Sequence, residues 1–250
     1  MLRSIQELFG YTIQGTDEEI GKVHDFLFDD ETWAIRYMVV DTGKWLPGRK
    51  VLLIPSVLGQ PDWESHVFPV ELDKEQILKS PDIDLDKPVS RQHELALHEH
   101  YKWVPYWIPP GPAGAGFVPP SALAKKEKKK KEKTETLREW DSHLRSAREV
   151  IGYHIQAADG EIGHVEDFIL EDVLEVIRYM IIDTRNWLPS KKVLISPFWI
   201  DKVSWGDTKV YVDLSRDLIK DSPEFDPSKP VNRQYEERLY DFYGRPKYWV

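Results

Sequence analysis

Ile20-Gly21-Lys22-Val23-His24-Asp25-Phe26-Leu27-Phe28-Asp29, followed by Trp33-Ala34-Ile35-Arg36-Tyr37-Met38-Val39-Val40-Asp41, decides how this chain is read. Both runs are rich in β-branched and aromatic residues and are bounded by turn formers at Thr16-Asp17 and Asp29-Asp30-Glu31. They predict strands over 20–28 and 33–40. Two further runs complete the set: Lys50 to Ile54, stopped by Pro55, and His66 to Leu72. Short strands at a spacing of about ten residues predict a small antiparallel barrel or sandwich. Alternation places Ile35, Tyr37 and Val39 on one face and Arg36, Met38 and Val40 on the other. With Ile13, Val23, Phe26, Val51 and Leu53, the first face is the expected core.

The whole block returns 142 residues later without a gap, with close to half of the aligned positions identical. Arg3-Ser4 becomes Arg145-Ser146, and Ile35-Arg36-Tyr37-Met38 becomes Ile177-Arg178-Tyr179-Met180. Trp45-Leu46-Pro47 becomes Trp187-Leu188-Pro189, and Tyr106-Trp107 becomes Tyr248-Trp249. Three segments follow: a first repeat over 1–110, a linker over 111–137, and a second repeat over 138–250. In the second repeat the expected strands are 162–170, 175–182, 192–196 and 209–214. Each repeat then turns helical, with a short helix near 73–78 and a longer one near 91–101 or 233–243, which Ser90 or Asn232 can cap. Each ends on an aromatic, proline-bearing tail.

The 250 residues carry a formal charge of −9, and both repeats are net acidic, which disfavours a phosphate backbone as their partner. Only the linker is net basic. It follows Pro109-Pro110, opens with Gly111-Pro112 and continues into a nearly uninterrupted lysine run from Lys125 to Lys133. Such a run is ordinarily a solvated spacer; nucleic acid or anionic lipid is its alternative partner. Zero cysteines exclude disulfides and thiol chemistry. Without an apolar run of about 20 residues, no transmembrane segment is expected. Without a signal-peptide h-region, a cytoplasmic location is.

The pattern G-K-V-x-D-x-x-x-D, here Gly21 to Asp29, followed by the Ile35-Arg36-Tyr37-Met38-Val39-Val40-Asp41 strand, resembles the PRC-barrel family. The second copy carries it as Gly163-His164-Val165-Glu166-Asp167 and Ile177-Arg178-Tyr179-Met180. The chain as a whole resembles a bacterial protein with two tandem PRC-barrels, each followed by a helical tail. The resemblance implies a small β-barrel that serves as a docking surface for protein, not as a catalyst.

The residues themselves offer little chemistry. His93, His98 and His100 lie near Glu94 and Glu99, but His93 and His98 are not on one helical stripe, and Tyr235, Tyr240 and Phe242 replace the three histidines in the second repeat. Aromatic packing explains both copies; no metal and no cofactor are expected. Asp25/Asp167 and Asp41/Asp183 recur, yet strand carboxylates of this kind ordinarily bond backbone amides or an arginine such as Arg36 or Arg178. No catalytic residue is assigned. A strand apolar on both faces must be covered. The expected interaction surface is therefore Met38, Val40, Trp45, Tyr106 and Trp107 with Met180, Ile182, Trp187, Tyr248 and Trp249, through which the repeats pack on each other or on a protein partner. For Trp45 and Trp187, loop aromatics, capping a barrel mouth is the more usual role, with contact to the other repeat or a partner as the alternative. Two other functions stay open: an RNA- or ribosome-associated assembly factor using the linker, and a small-molecule-binding barrel or enzyme with a cleft between repeats.

Overall fold

The computed structural model describes residues 2–43, 45–81, 89, 91–107, 143–171, 176–184 and 191–249. The linker and the loop carrying Trp187 lie outside them, as does the capping position Ser90. The chain is mainly β with a few short helices. In the first sheet, β2 (Thr12–Gln14), β3 (Glu19–Asp29), β4 (Ile35–Asp41), β5 (Lys50–Leu53) and β6 (Val67–Pro69) lie in the order β5-β4-β3-β2-β6. In the second, β8 (His154–Ala157), β9 (Gly160–Leu170), β10 (Ile177–Asp183), β11 (Lys192–Ile195), β12 (Ile200–Ser204) and β13 (Lys209–Val212) lie in the order β11-β10-β9-β8-β13-β12.

Neither sheet is wholly antiparallel, which corrects the sequence expectation. β6 returns beside β2 in the same direction, and β13 does the same beside β8. Each parallel pair uses the intervening strands as its crossover. No ladder joins β5 to β6, or β11 to β12, among the described residues. The second sheet nevertheless has to curl. Its end strands β11 and β12 are joined by the single 3-10 turn Pro197–Trp199, which spans on the order of 10 Å. Six flat strands at about 4.8 Å spacing would set them roughly 24 Å apart. The result is a strongly curled, open sheet. In the first sheet the link is looser, an isolated bridge from Leu58 to Val70.

Two bulges decide which residues face inward. Between Leu27↔Tyr37 and Phe28↔Ile35, β4 carries Arg36 as an extra residue; between Val23↔Val40 and Asp25↔Val39, β3 carries His24. The second sheet repeats both, at Arg178 and Glu166. A bulge reverses the alternation beyond it. Ile35 therefore shares the interior with Met38, Val40, Val51, Leu53, Phe26 and Phe28. Tyr37, Val39, Leu27 and Leu52 face outward into a separate cluster with Val89, Leu97 and Leu144. Strict alternation had put Tyr37 and Val39 in the core and Met38 and Val40 outside; the bulges invert that assignment.

The outer face is covered by the helical tail. Asp73 starts α1 (Lys74–Leu78) with a reciprocal capping box, Gln76 N–H to Asp73 at 2.7 Å and Asp73 N–H to Gln76 at 2.9 Å. Leu97 of α2 (Arg91–Tyr101) then packs on the Tyr37–Val39–Leu52 surface. In the second half, α3 (Ala147–Val150) follows the first strand, α4 (Arg216–Asp221) starts at Ser215, and α5 (Arg233–Tyr243) runs from Asn232 to a left-handed Gly244 at φ 61°.

The feature with the largest consequence is at the start of each repeat. β1 (Arg3–Ser4) does not join the sheet of its own repeat; it pairs with Ile169 and Leu170 of β9. β7 (Leu144–Ser146) likewise pairs with Leu27, Phe28 and Asp29 of β3. The repeats exchange their first strands. Around this crossing, Ala34 bridges Val176, the Trp33 ring stacks on Phe28 at 4.9 Å, and Phe28 meets Phe168 at 5.9 Å. One continuous apolar core runs through both sheets.

Candidate functional site

The residues singled out in the sequence do not form one surface. Met38, Val40, Met180 and Ile182 are fully buried inside the sheets, as the bulges require. Trp45 is half-buried; its indole N–H donates to the Ile20 carbonyl and Lys74 stacks 4.9 Å from its ring. Tyr106, Trp107, Tyr248 and Trp249 sit in the two tails. Trp187 lies outside the described residues.

What the structure does assemble is a pair of clasps at the strand exchange. Asp25 and Asp167 are each 6% exposed, turned outward by the neighbouring bulge. The Ser146 hydroxyl, from the exchanged strand, donates to Asp25 Oδ2, while the amides of Arg148 and Phe26 donate to Oδ1 at 3.0 and 2.7 Å. Across the molecule, Ser4 donates to Asp167 Oδ2, and the amides of Gln6 and Phe168 donate to Oδ1 at 3.2 and 2.7 Å. Arg36 and Arg178, the expected partners of these aspartates, instead pair with Asp29 and Glu171.

The two clasps differ electrostatically. Burial pushes the Asp167 carboxyl up to about 6, against the hydrogen bonds from Ser4, Phe168 and Gln6, and the Glu166 charge adds to the rise. Burial also raises Asp25, but there the Arg148 cation pulls the other way. Gln6 stands where the second repeat has Arg148, so the Asp167 clasp has no such cation. At the Asp25 clasp an arginine adds to the exchange. Arg145 Nε lies 2.9 Å from Asp30 across the repeats, with its guanidinium 4.4 Å from the Trp205 ring. Arg3 stacks likewise on Trp63, at 4.5 Å.

A second repeated constellation pins each tail to its sheet. Tyr37 and Tyr106 donate to Glu94 Oε2 at 3.0 and 2.8 Å, and His98 Nε2 lies 2.9 Å from the Tyr37 hydroxyl. Tyr179 and Tyr248 donate to Glu236 Oε1 at 2.7 and 2.8 Å, with Arg233 3.0 Å from Oε2. Burial, with Tyr240 and Glu236 nearby, holds the Tyr179 phenol far above its ordinary range. The arginine of each bulge stacks over the tail tyrosine, Arg36 on Tyr106 at 4.1 Å and Arg178 on Tyr248 at 4.3 Å. His98 is thus a packing and hydrogen-bonding residue. Among the described residues no group of three or more His, Asp or Glu is arranged to hold a metal. Asp41 accepts the Gly43 amide at 2.8 Å, the turn role expected of it.

Sequence reasoning missed Ser4, Ser146, Glu94, Glu236 and Trp33. The first four recur at the repeat spacing, which was the available signal; Trp33 does not, and it adopts a left-handed turn at φ 58° rather than a strand.

One open groove of about 340 Å³ lies beside the Asp167 clasp. Leu2, Ile169, Ile181, Phe225 and Val231 give it an apolar floor, and its rim is polar. On that rim Lys192 pairs with Glu166 at 2.7 Å.

A curled, bulged sheet followed by a covering helix defines a small, mainly β domain. Residues 2–77 match the PRC-barrel domain. The matched segment is not one spatial unit, because β1 within it belongs to the other sheet. No curated protein matches the chain. Among the described residues no helix is long and apolar enough to cross a membrane.

Proposed function

We propose that this chain is a non-enzymatic protein-docking scaffold of the bacterial cytoplasm. In this reading residues 1–110 and 138–250 are two PRC-barrel-type domains locked together as an intramolecular pseudo-dimer. The observation that carries it is the use made of the recurring polar residues. Asp25, Asp167, Glu94 and Glu236 each receive hydrogen bonds that fasten a strand or a tail. Carboxylates committed in this way build a rigid platform, and rigidity lowers the entropic cost of docking. The groove floored by Ile169, Ile181 and Phe225 is the surface proposed to meet the partner.

The test is comparative affinity capture from the native cells, using the wild-type chain and a groove variant, Glu7→Lys with Lys229→Glu. Both residues line the groove rim. A discrete set of proteins retained by the wild type and lost by a variant of equal melting temperature supports docking there. Equal retention by both, or a small metabolite found bound to the intact chain by native mass spectrometry, favours the ligand-binding alternative and refutes the proposal.

A further inference from the structure

The two acceptor sites of the strand exchange are filled by segments of different sequence. Leu2-Arg3-Ser4-Ile5-Gln6-Glu7-Leu8 occupies the second sheet, and Leu144-Arg145-Ser146-Ala147-Arg148-Glu149-Val150 occupies the first. They share Leu, Arg, Ser and Glu at fixed positions, with apolar residues at Ile5/Ala147 and Leu8/Val150. Several of the shared residues have a defined contact. Ser reaches the buried aspartate, and Arg stacks on a tryptophan of its own repeat. Glu149 accepts from the Tyr153 hydroxyl at 3.0 Å. Leu8 and Val150 are buried in the core. The acceptor supplies Asp167 and the Phe168 carbonyl, which takes the Ile5 amide at 2.9 Å. Nothing in these contacts requires that donor and acceptor belong to one chain.

We propose that each sheet carries a binding site for a Leu-Arg-Ser-x-x-Glu-apolar segment, and that the site beside Asp167 takes this segment from a second copy of the chain. The acceptor shares Ser4, Gln6, Glu7 and Asp167 with the groove of the docking reading, but the claim concerns strand pairing between copies, and its test reads a cross-link rather than capture of a partner. The Asp167 site is the one that exchanges. Its strand pairs over two residues where β7 pairs over three. Gln6 donates to the Glu166 carbonyl there, as Arg148 does to the His24 carbonyl in the other clasp, but Gln6 is uncharged, whereas the Arg148 guanidinium also packs 4.3 Å from Phe9. Attachment favours the intramolecular segment, so the share of sites filled in trans should rise with chain concentration.

The absence of native cysteine makes the exchange traceable. Arg3 and Leu170 are direct partners in the ladder, as are Ser4 and Ile169, and directly opposed residues lie within disulfide reach. Full-length chains carrying only Arg3→Cys are mixed with chains carrying only Leu170→Cys and oxidised. A single chain carrying both substitutions is the register control. The expected result is a covalent heterodimer that rises with concentration and falls several-fold when a peptide of residues 143–152 competes. If the Leu170 change unfolds the chain, Ser4→Cys with Ile169→Cys reports the same register. The proposal is overturned if the control closes within one chain while mixed chains never cross-link. It is equally overturned if the cross-link ignores the competing peptide.

Discussion

Replacing Asp167 by asparagine should make the protein more stable at neutral pH and less so, relative to wild type, in acid. The Asp167 carboxyl is buried and raised to about 6 from an ordinary 3.8. A raised acid binds its proton more tightly folded than unfolded. Its contribution is therefore fully present below about pH 4 and is lost as pH rises through about 6. At about 1.4 kcal/mol per pH unit, the rise amounts to about 3 kcal/mol lost by the wild type between pH 4 and 7. Asparagine resembles the protonated acid. Its Oδ1 can still accept the Gln6 and Phe168 amides, while its NH2 group faces a Ser4 hydroxyl free to turn and accept. Other carboxylates titrate in the opposite sense, Asp226 at about 2 among them, so the quantity to follow is the difference between variant and wild type. Urea unfolding at intervals from pH 4 to 8 measures it. The difference should grow by about 2–3 kcal/mol in the variant's favour across that range. A difference that stays flat, or that grows toward acid, would refute a desolvated carboxylate at the clasp. Asp25→Asn should show the same sign with a shallower slope, because Arg148 already steadies the charge there.

Tyr179→Phe removes one of the two phenols donating to buried Glu236 and should cost about 1–3 kcal/mol by chemical denaturation. Gly163→Ala would place a methyl carbon 2.0 Å from the Asp183 carbonyl oxygen, and Gly21→Ala 2.1 Å from that of Asp41. Each should lose about 1–3 kcal/mol or more, read as a lower melting temperature. Met38→Ala, at a position that only the Arg36 bulge turns into the core, should cost about 2–5 kcal/mol, whereas an unchanged melt would mean that Arg36 is not the bulged residue.

Much of the framework was legible because it rests on local signals. β3, β4, β5 and the Arg91–Tyr101 and Arg233–Tyr243 helices follow from residue type, turn residues and caps such as Asn232, which accepts the Tyr235 amide at 2.9 Å. The facing of β4 was not legible. A bulge at Arg36 leaves no compositional trace, yet it flips Met38 and Val40 inward and Tyr37 and Val39 outward. Strands β1 and β7 escaped for a different reason. Two or three residues carry no periodicity, and their partners lie more than 100 residues away. The repeat marked Arg-Ser as recurrent without saying what it touched. Parallel pairing of β6 with β2 likewise depends on where the chain returns, which strand spacing does not encode.

The strand exchange makes the two repeats one body, and cutting the linker tests this most directly. A protease site inserted after Lys133 allows the intact, folded chain to be cleaved between Trp107 and His143, followed by size-exclusion chromatography at low micromolar concentration without denaturant. The exchanged strands, the Ser–Asp clasps and the shared Phe28–Trp33–Phe168 core predict that the two fragments elute together at the size of the uncut chain and separate only on unfolding. Fragments that part at once and elute at half that size would contradict the interlock.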